Sequence, residues 1–295
     1  LNKITVKLRK ERIEFGINQY KYLIGSNYSD KHQIVQSIKK CFERGNNSEF
    51  AIDNNSELWF KINDKDVDIR KYKLFNITSI FDYKTEIKLG AKSIILNYLE
   101  AIFKDIEYDD LVNTLRIIKD DLGVSMSDRI EQNNHYKLNL KFEEITLKGL
   151  LKQVEVSLYK DQLISNEYDL SYEDLVLFQI DLITKITENI RDFEYICIIE
   201  IPVVTQIIKE AIEKVKQKNL MILIVSNDSY IKNVDINNFL SLNKQIIDFS
   251  DEVSIYNDII LNLERNSTIQ DIREHVSLYF NSEGRQDDLN LSKIL

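Results

Sequence analysis

The chain has 295 residues, a net charge of −9 and 43% hydrophobic content, enough apolar material for one large or two medium domains. The acidic balance excludes a protein that coats nucleic acid indiscriminately, so any nucleic-acid contact must gather positive charge on one surface. One proline and seven glycines exclude Gly-rich cofactor loops and long Pro-rich linkers, and the longest apolar runs fall short of the roughly 20 residues of a membrane-spanning helix. Cys41 and Cys197 each sit in an apolar-periodic segment, as expected of reduced, buried thiols in a cytoplasmic protein. His32, His135 and His275 show no metal-ligand spacing. The first residue is Leu rather than Met, so further residues are expected before it.

In chain order, 3–8 and 11–16 alternate Ile4, Val6, Leu8 and then Ile13, Phe15, which predicts a hairpin. Residues 20–24 predict a strand. A turn at Gly25 follows, then a helix opened by Ser29 or Asp30 and running to about Arg44, with Ile34, Val35, Ile38, Cys41 and Phe42 on one face and Gly45 as its stop. Residues 57–62 and 74–82 read as strands around a polar loop with Lys65, Arg70, Lys71 and Lys73, either a solvated turn or a basic contact loop.

The pattern then turns helical. Residues 87–104 carry Ala91, Ile94, Ile95, Tyr98, Leu99, Ile102 and Phe103 at helical spacing; 107–122 carry Leu111, Leu115, Ile118 and Leu122, with Gly123 as the expected end. Residues 136–142 alternate Tyr136, Leu138, Leu140 and Phe142 with Lys137, Asn139 and Lys141, a half-buried strand or arm with a basic outer face. Thr146 opens a short helix, and Ser171 caps a long one to about Arg191. Two apolar runs, 195–201 and 220–226, flank a helix at about 203–218, which marks a βαβ unit in a buried parallel sheet. Residues 245–249 predict an edge strand, and 255–264 and 267–281 predict helices, the last capped by Ser267.

The expected fold is α/β: a P-loop-like head with a mainly parallel sheet (1–86 and 192–265), a long inserted helical leg (87–191) and a C-terminal helical extension (266–295). Gly25 and Lys31 have the spacing of a phosphate-binding loop, but Asp30 replaces its second glycine and His32 its hydroxyl residue. Asp30 puts a carboxylate where polyphosphate charge would lie, and His32 offers no hydroxyl to Mg²⁺. Asp30 can instead cap the helix start. Asp82 and Glu200 end apolar strands, where a metal-holding carboxylate would sit, although polar strand ends are also ordinary in open sheets. No other catalytic motif is present, so neither enzymatic activity nor ATP binding is expected. The acidic clusters Glu107, Asp109, Asp110 and Asp120, Asp121 read as solvated helix ends, able to hold Ca²⁺ only if folding brings two clusters together. Lys137, Lys141, Lys148 and Lys152 lie beside an apolar face, a pattern that positions a phosphate backbone without reading bases. Two other readings stay open: an active P-loop ATPase or kinase using Lys31 and Glu200, and a protein-only structural adaptor.

Several segments carry a resemblance. Phe142-Glu-Glu-Ile-Thr-Leu-Lys-Gly-Leu-Leu-Lys-Gln-Val154, the helix Tyr172–Glu188, the strand–helix–strand of 195–226 and Leu74–Tyr83 follow one another as in the DNA-end-binding ring proteins of type II-A CRISPR adaptation, the Csn-two family, and its longer members in particular. The resemblance covers most of 20–250. It implies a head related to P-loop ATPases with a degraded nucleotide site, and a homotetrameric ring that takes double-stranded DNA ends through a basic hole. It further implies calcium support of the ring, with metal ligands not assigned, and partnership with the CRISPR integrase subunits and the RNA-guided nuclease in spacer acquisition. The Lys65–Lys73 loop falls where members of the family also have a basic loop.

Overall fold

The computed structural model describes residues 1–8, 11–43, 60–104, 106–129, 142–227, 234–262 and 267–281. The hairpin pattern forms β1 (Asn2–Leu8) and β2 (Glu11–Ile17), antiparallel from Asn2↔Ile17 to Leu8↔Glu11. β3 (Tyr20–Ile24) runs into α1 (Tyr28–Glu43), followed by β4 (Phe60–Ile62), β5 (Lys65–Asp66) and β6 (Tyr72–Thr78). Next come α2 (Tyr83–Glu86), α3 (Ile94–Ile102), α4 (Ile106–Arg129), α5 (Leu147–Leu151) and the small hairpin β7 (Leu158–Lys160) and β8 (Leu163–Ser165). The chain continues through α6 (Tyr172–Asn189), β9 (Glu194–Ile201), α7 (Gln206–Lys214), β10 (Leu220–Ser226), β11 (Phe239–Leu242), β12 (Ile246–Asp248), α8 (Glu252–Asp258) and α9 (Ile269–Asn281).

The chain splits into two units. One is formed by Leu1–Ile80, Ser171–Ile180 and Arg191–Leu295, the other by Phe81–Leu170 and Asp181–Ile190. In the first, a six-stranded sheet runs β12-β11-β3-β10-β9-β6, parallel throughout except for the antiparallel edge strand β12. β9 and β10 have near-continuous apolar sequences because both of their faces are covered, as parallel strands require. A second, antiparallel sheet runs β2-β1-β4-β5. α1 buries Ile34, Val35, Ile38 and Cys41 in a core shared with Ile4, Val6 and Phe60 of that sheet and with Leu23, Ile198 and Leu223 of the other.

A buried ion pair ties the sheet edge together. The Lys21 ammonium of β3 meets Asp248 of β12 and also donates to the Asn237 carbonyl at 2.9 Å. Asp248 accepts the Gly16 N–H of β2 at 2.7 Å and the Ser250 N–H at 3.0 Å. Both charges thus have several partners, as burial of an ion pair demands.

Several helix ends depart from the sequence reading. α3 starts only at Ile94: Leu89 takes a left-handed φ of 50°, which breaks the helix, and the Ser93 side chain caps the new start. α4 passes through Gly123 to Arg129, since glycine inside a helix costs about 1 kcal/mol relative to alanine but does not force a stop. α8 begins at Glu252, capped by Asp251, and α9 is opened by Thr268 paired with Asp271 rather than by Ser267. Thr146 caps α5 and Ser171 opens α6, both as the sequence predicts. Gly45 and the alternating residues 136–141 lie outside the described residues. Among the described residues, no helix is long and apolar enough to cross a membrane.

Candidate functional site

The turn between β3 and α1 is closed by its own chain. Gly25 has φ 102°, and a Cβ there would lie 2.5 Å from the Leu242 carbonyl oxygen. Glycine is therefore required twice, by conformation and by the close approach of the β11–β12 turn. The Ser26 N–H donates to Asn243 Oδ1 at 2.6 Å, the Ser26 hydroxyl donates to the same oxygen at 2.9 Å, and the Asn27 N–H donates to the Leu242 carbonyl at 3.0 Å. In a phosphate-binding loop such amides would face the ligand; here the Leu242–Asn243 turn takes them.

Asn27, not Asp30, caps α1. Its Oδ1 accepts the Asp30 N–H at 3.1 Å, while its Nδ2 donates to the Asp30 carboxylate at 2.8 Å. Asp30 is thus the reciprocal partner in the first turn, buried to 1% exposure and well placed against the positive helix end. The Lys31 ammonium donates to the Ser226 carbonyl at the end of β10, at 2.6 Å, and lies 5.3 Å from the Tyr28 ring centre. Burial pulls its pKa down to about 8. His32 is exposed.

The two carboxylates read as strand ends have local partners, and Asp82 lies beyond its strand, since β6 stops at Thr78. Glu200 pairs with Lys39 at 2.5 Å. Asp82 caps α2 through the Thr85 N–H and hydroxyl, and these hydrogen bonds hold its carboxyl below the usual range. Lys31 and Glu200 therefore each engage a different group. Among the described residues, no group of three or more His, Cys, Asp or Glu side chains is placed to hold a metal ion. Asp109, Asp110, Asp120 and Asp121 of α4 are exposed rather than gathered, so these residues do not fit a calcium cage within one chain.

The basic residues divide between the units. Lys65 lies in β5, Arg70 and Lys71 follow in the turn, and all three are exposed with no ion pair among the described residues. Lys73 belongs to β6, and its ammonium sits 4.2 Å from the Phe193 ring centre. The polar loop of the sequence reading is therefore a short strand, a turn and a strand start. In the second unit, Lys148 pairs with Glu100 at 3.1 Å, and Lys152 is exposed one helical turn further on. Lys137 and Lys141 lie outside the described residues. Sequence reasoning passed over Lys84, Lys88 and Lys92, all exposed in the second unit. Lys88 and Lys92 were absorbed into the predicted helix 87–104, and Lys84 falls between that helix and the strand predicted before it.

These features define an α/β protein with a mainly parallel sheet and a P-loop-like strand–turn–helix whose cradle is filled from within. No family model and no curated protein matches the chain. Among solved structures its fold is similar to that of Stu0660 of Streptococcus thermophilus, with a TM-score of 0.68 and 16% sequence identity over 95% of this chain and 86% of that one.

Proposed function

We propose that this chain is a non-enzymatic, sequence-independent double-stranded DNA-binding protein. In this reading it assembles as a homotetrameric ring, takes DNA ends, and supports spacer acquisition in type II-A CRISPR immunity beside the integrase subunits and the RNA-guided nuclease. The observation that carries the reading is the closed β3–α1 turn: its amides are spent on Leu242 and Asn243. Phosphate recognition then falls to exposed cations. Lys65, Arg70, Lys71 and Lys152 are of that kind, and such residues hold a phosphate backbone without reading bases. The net charge of −9 makes a single copy a weak binder; several copies around one hole sum their fields. The ordered segment matches at 74–83, 142–154, 172–188 and 195–226 support the family assignment.

Gel shifts with linear and covalently closed duplexes, repeated across salt concentrations, test this. The expected result is binding to linear DNA that weakens steeply with salt, because phosphate contacts release counterions. Salt-independent behaviour would favour a protein-only adaptor. Tight Mg²⁺–ATP binding by calorimetry, lost in Lys31→Ala, would overturn the non-enzymatic reading.

A further inference from the structure

Strand β6 ends one side of the six-stranded sheet and pairs only with β9. Along a strand the backbone groups point alternately to its two neighbours. The Glu194 N–H donates to the Lys71 carbonyl at 2.9 Å, and the register continues through Lys73↔Tyr195, Phe75↔Cys197 and Ile77↔Ile199. The odd-numbered residues therefore serve β9, and the even-numbered ones turn their N–H and C=O groups outward. The ends of this outer row are used: the Tyr72 N–H donates to the Asp68 carbonyl at 3.1 Å, and the Thr78 carbonyl accepts from Gln179 Nε2 at 2.9 Å. Among the described residues, nothing pairs with the Tyr72 carbonyl, with the N–H and C=O of Leu74 and Asn76, or with the Thr78 N–H. Asn76 Oδ1 also lacks a hydrogen bond. Other edges of this unit are guarded: β5 is two residues long, β12 three, and β2 carries Glu11, Arg12 and Glu14, the usual devices against strand addition. β6 is seven residues long, and 74–80 hold neither a charge nor a proline.

We propose that this edge takes an extended segment of another protein as an added strand, with an acidic residue at the segment end level with Arg70 and Lys71. The unpaired groups define the chemical class of the occupant. A polypeptide backbone supplies donors and acceptors at the same two-residue spacing, and about five residues laid parallel to β6 pair with all of them. Charge selects the sequence of the segment. Arg70 and Lys71 are exposed and have no ion pair among the described residues. A second copy paired antiparallel about Phe75 would set Arg70 level with Ile80 and Lys71 with Ser79, which brings no counter-charge. A carboxylate on a different chain supplies one, and opposite charges across a strand pair are favourable. At the far end Ile80, 81% exposed, offers the segment an apolar contact.

Hydrogen exchange of the full chain, read at single amides, tests whether the edge is open. Leu74 and Asn76 should exchange at least about tenfold faster than Phe75 and Ile77, whose N–H groups are held by β9. Equal protection at these positions overturns the proposal, because the edge would already be covered. Protection that rises with protein concentration assigns the edge to a second copy and overturns it as well. The probe for the occupant is a fluorescent peptide of alternating valine and threonine with glutamate at both ends. No DNA is present, because Arg70 and Lys71 are also candidates for phosphate contact. Binding read by anisotropy should weaken at least about tenfold when one alternate set of peptide amides is N-methylated, since several hydrogen bonds are lost, and change little when the other set is. Asn76→Pro should weaken binding to the same extent with unchanged far-UV circular dichroism, because its N–H faces away from β9 and proline is tolerated there on an edge strand. Lysine in place of the terminal glutamates, or Arg70→Glu with Lys71→Glu against the glutamate peptide, should also weaken it. No binding of the glutamate peptide, or equal binding by both N-methylated forms, overturns the added strand. Binding that ignores the terminal charges overturns the acidic end.

Discussion

Helices α1 and α4 carry apolar residues at similar helical spacing, and only α1 has most of its stripe buried. Ile34, Val35, Ile38 and Cys41 of α1 are at most 6% exposed, enclosed by both sheets of the first unit. Leu111, Leu115, Ile118 and Leu122 of α4 are 41–59% exposed. Periodicity reports that a helix has an apolar face; it does not report what covers that face. The first unit satisfies itself, down to a phosphate-loop turn filled by its own chain. The second leaves these α4 side chains exposed.

The comparison can be broken from its larger effects to its smaller ones. Lys21→Met strips the partner from buried Asp248 and should cost about 3–5 kcal/mol in urea unfolding, the usual range for breaking a buried ion pair. Ile38→Ala, in the enclosed stripe, should cost about 2–5 kcal/mol, whereas Ile118→Ala, in the open one, should change stability of the isolated copy by less than about 0.5 kcal/mol. Equal losses at the two positions would erase the contrast. Gly25→Ala should destabilise by about 1–3 kcal/mol, as a strained backbone position does, because it meets the Leu242 carbonyl; hydrogen exchange at the Ser26 and Asn27 amides should quicken in the same variant.

The smallest effect is a pH dependence. Lys31 is charged below its folded pKa of about 8 and pays for burial there. Between about 8 and its unfolded value of 10.5 the unfolded chain holds more protons, so stability contributed by this site rises with pH over that window. Denaturant midpoints of the wild type should therefore gain on those of Lys31→Met from pH 8 to pH 10. A flat difference would show that Lys31 is solvated in the folded protein.

Much of the architecture was legible locally. The alternation in 3–8 and 11–16, the apolar runs at 195–201 and 220–226, and the caps Thr146 and Ser171 each state their own structure. The placement of β3 between β10 and β11 was only partly legible, because parallel neighbours are joined through distant chain. The closed turn was least legible of all. Asn243 reaches Ser26 across 217 residues, and no spacing rule predicts such a contact. The cap at Asn27 was readable as an Asn with an Asp three residues on, but the phosphate-loop frame drew attention to Asp30. Exposure of the α4 stripe could not be read at all, since apolar spacing looks the same whether or not the chain covers it.

Native mass spectrometry of the full chain with equimolar linear and covalently closed duplexes of one sequence tests the central claim most directly. The account predicts a tetramer that carries the linear duplex and leaves the closed circle unbound. A monomer, or equal loading of both DNA forms, would contradict it.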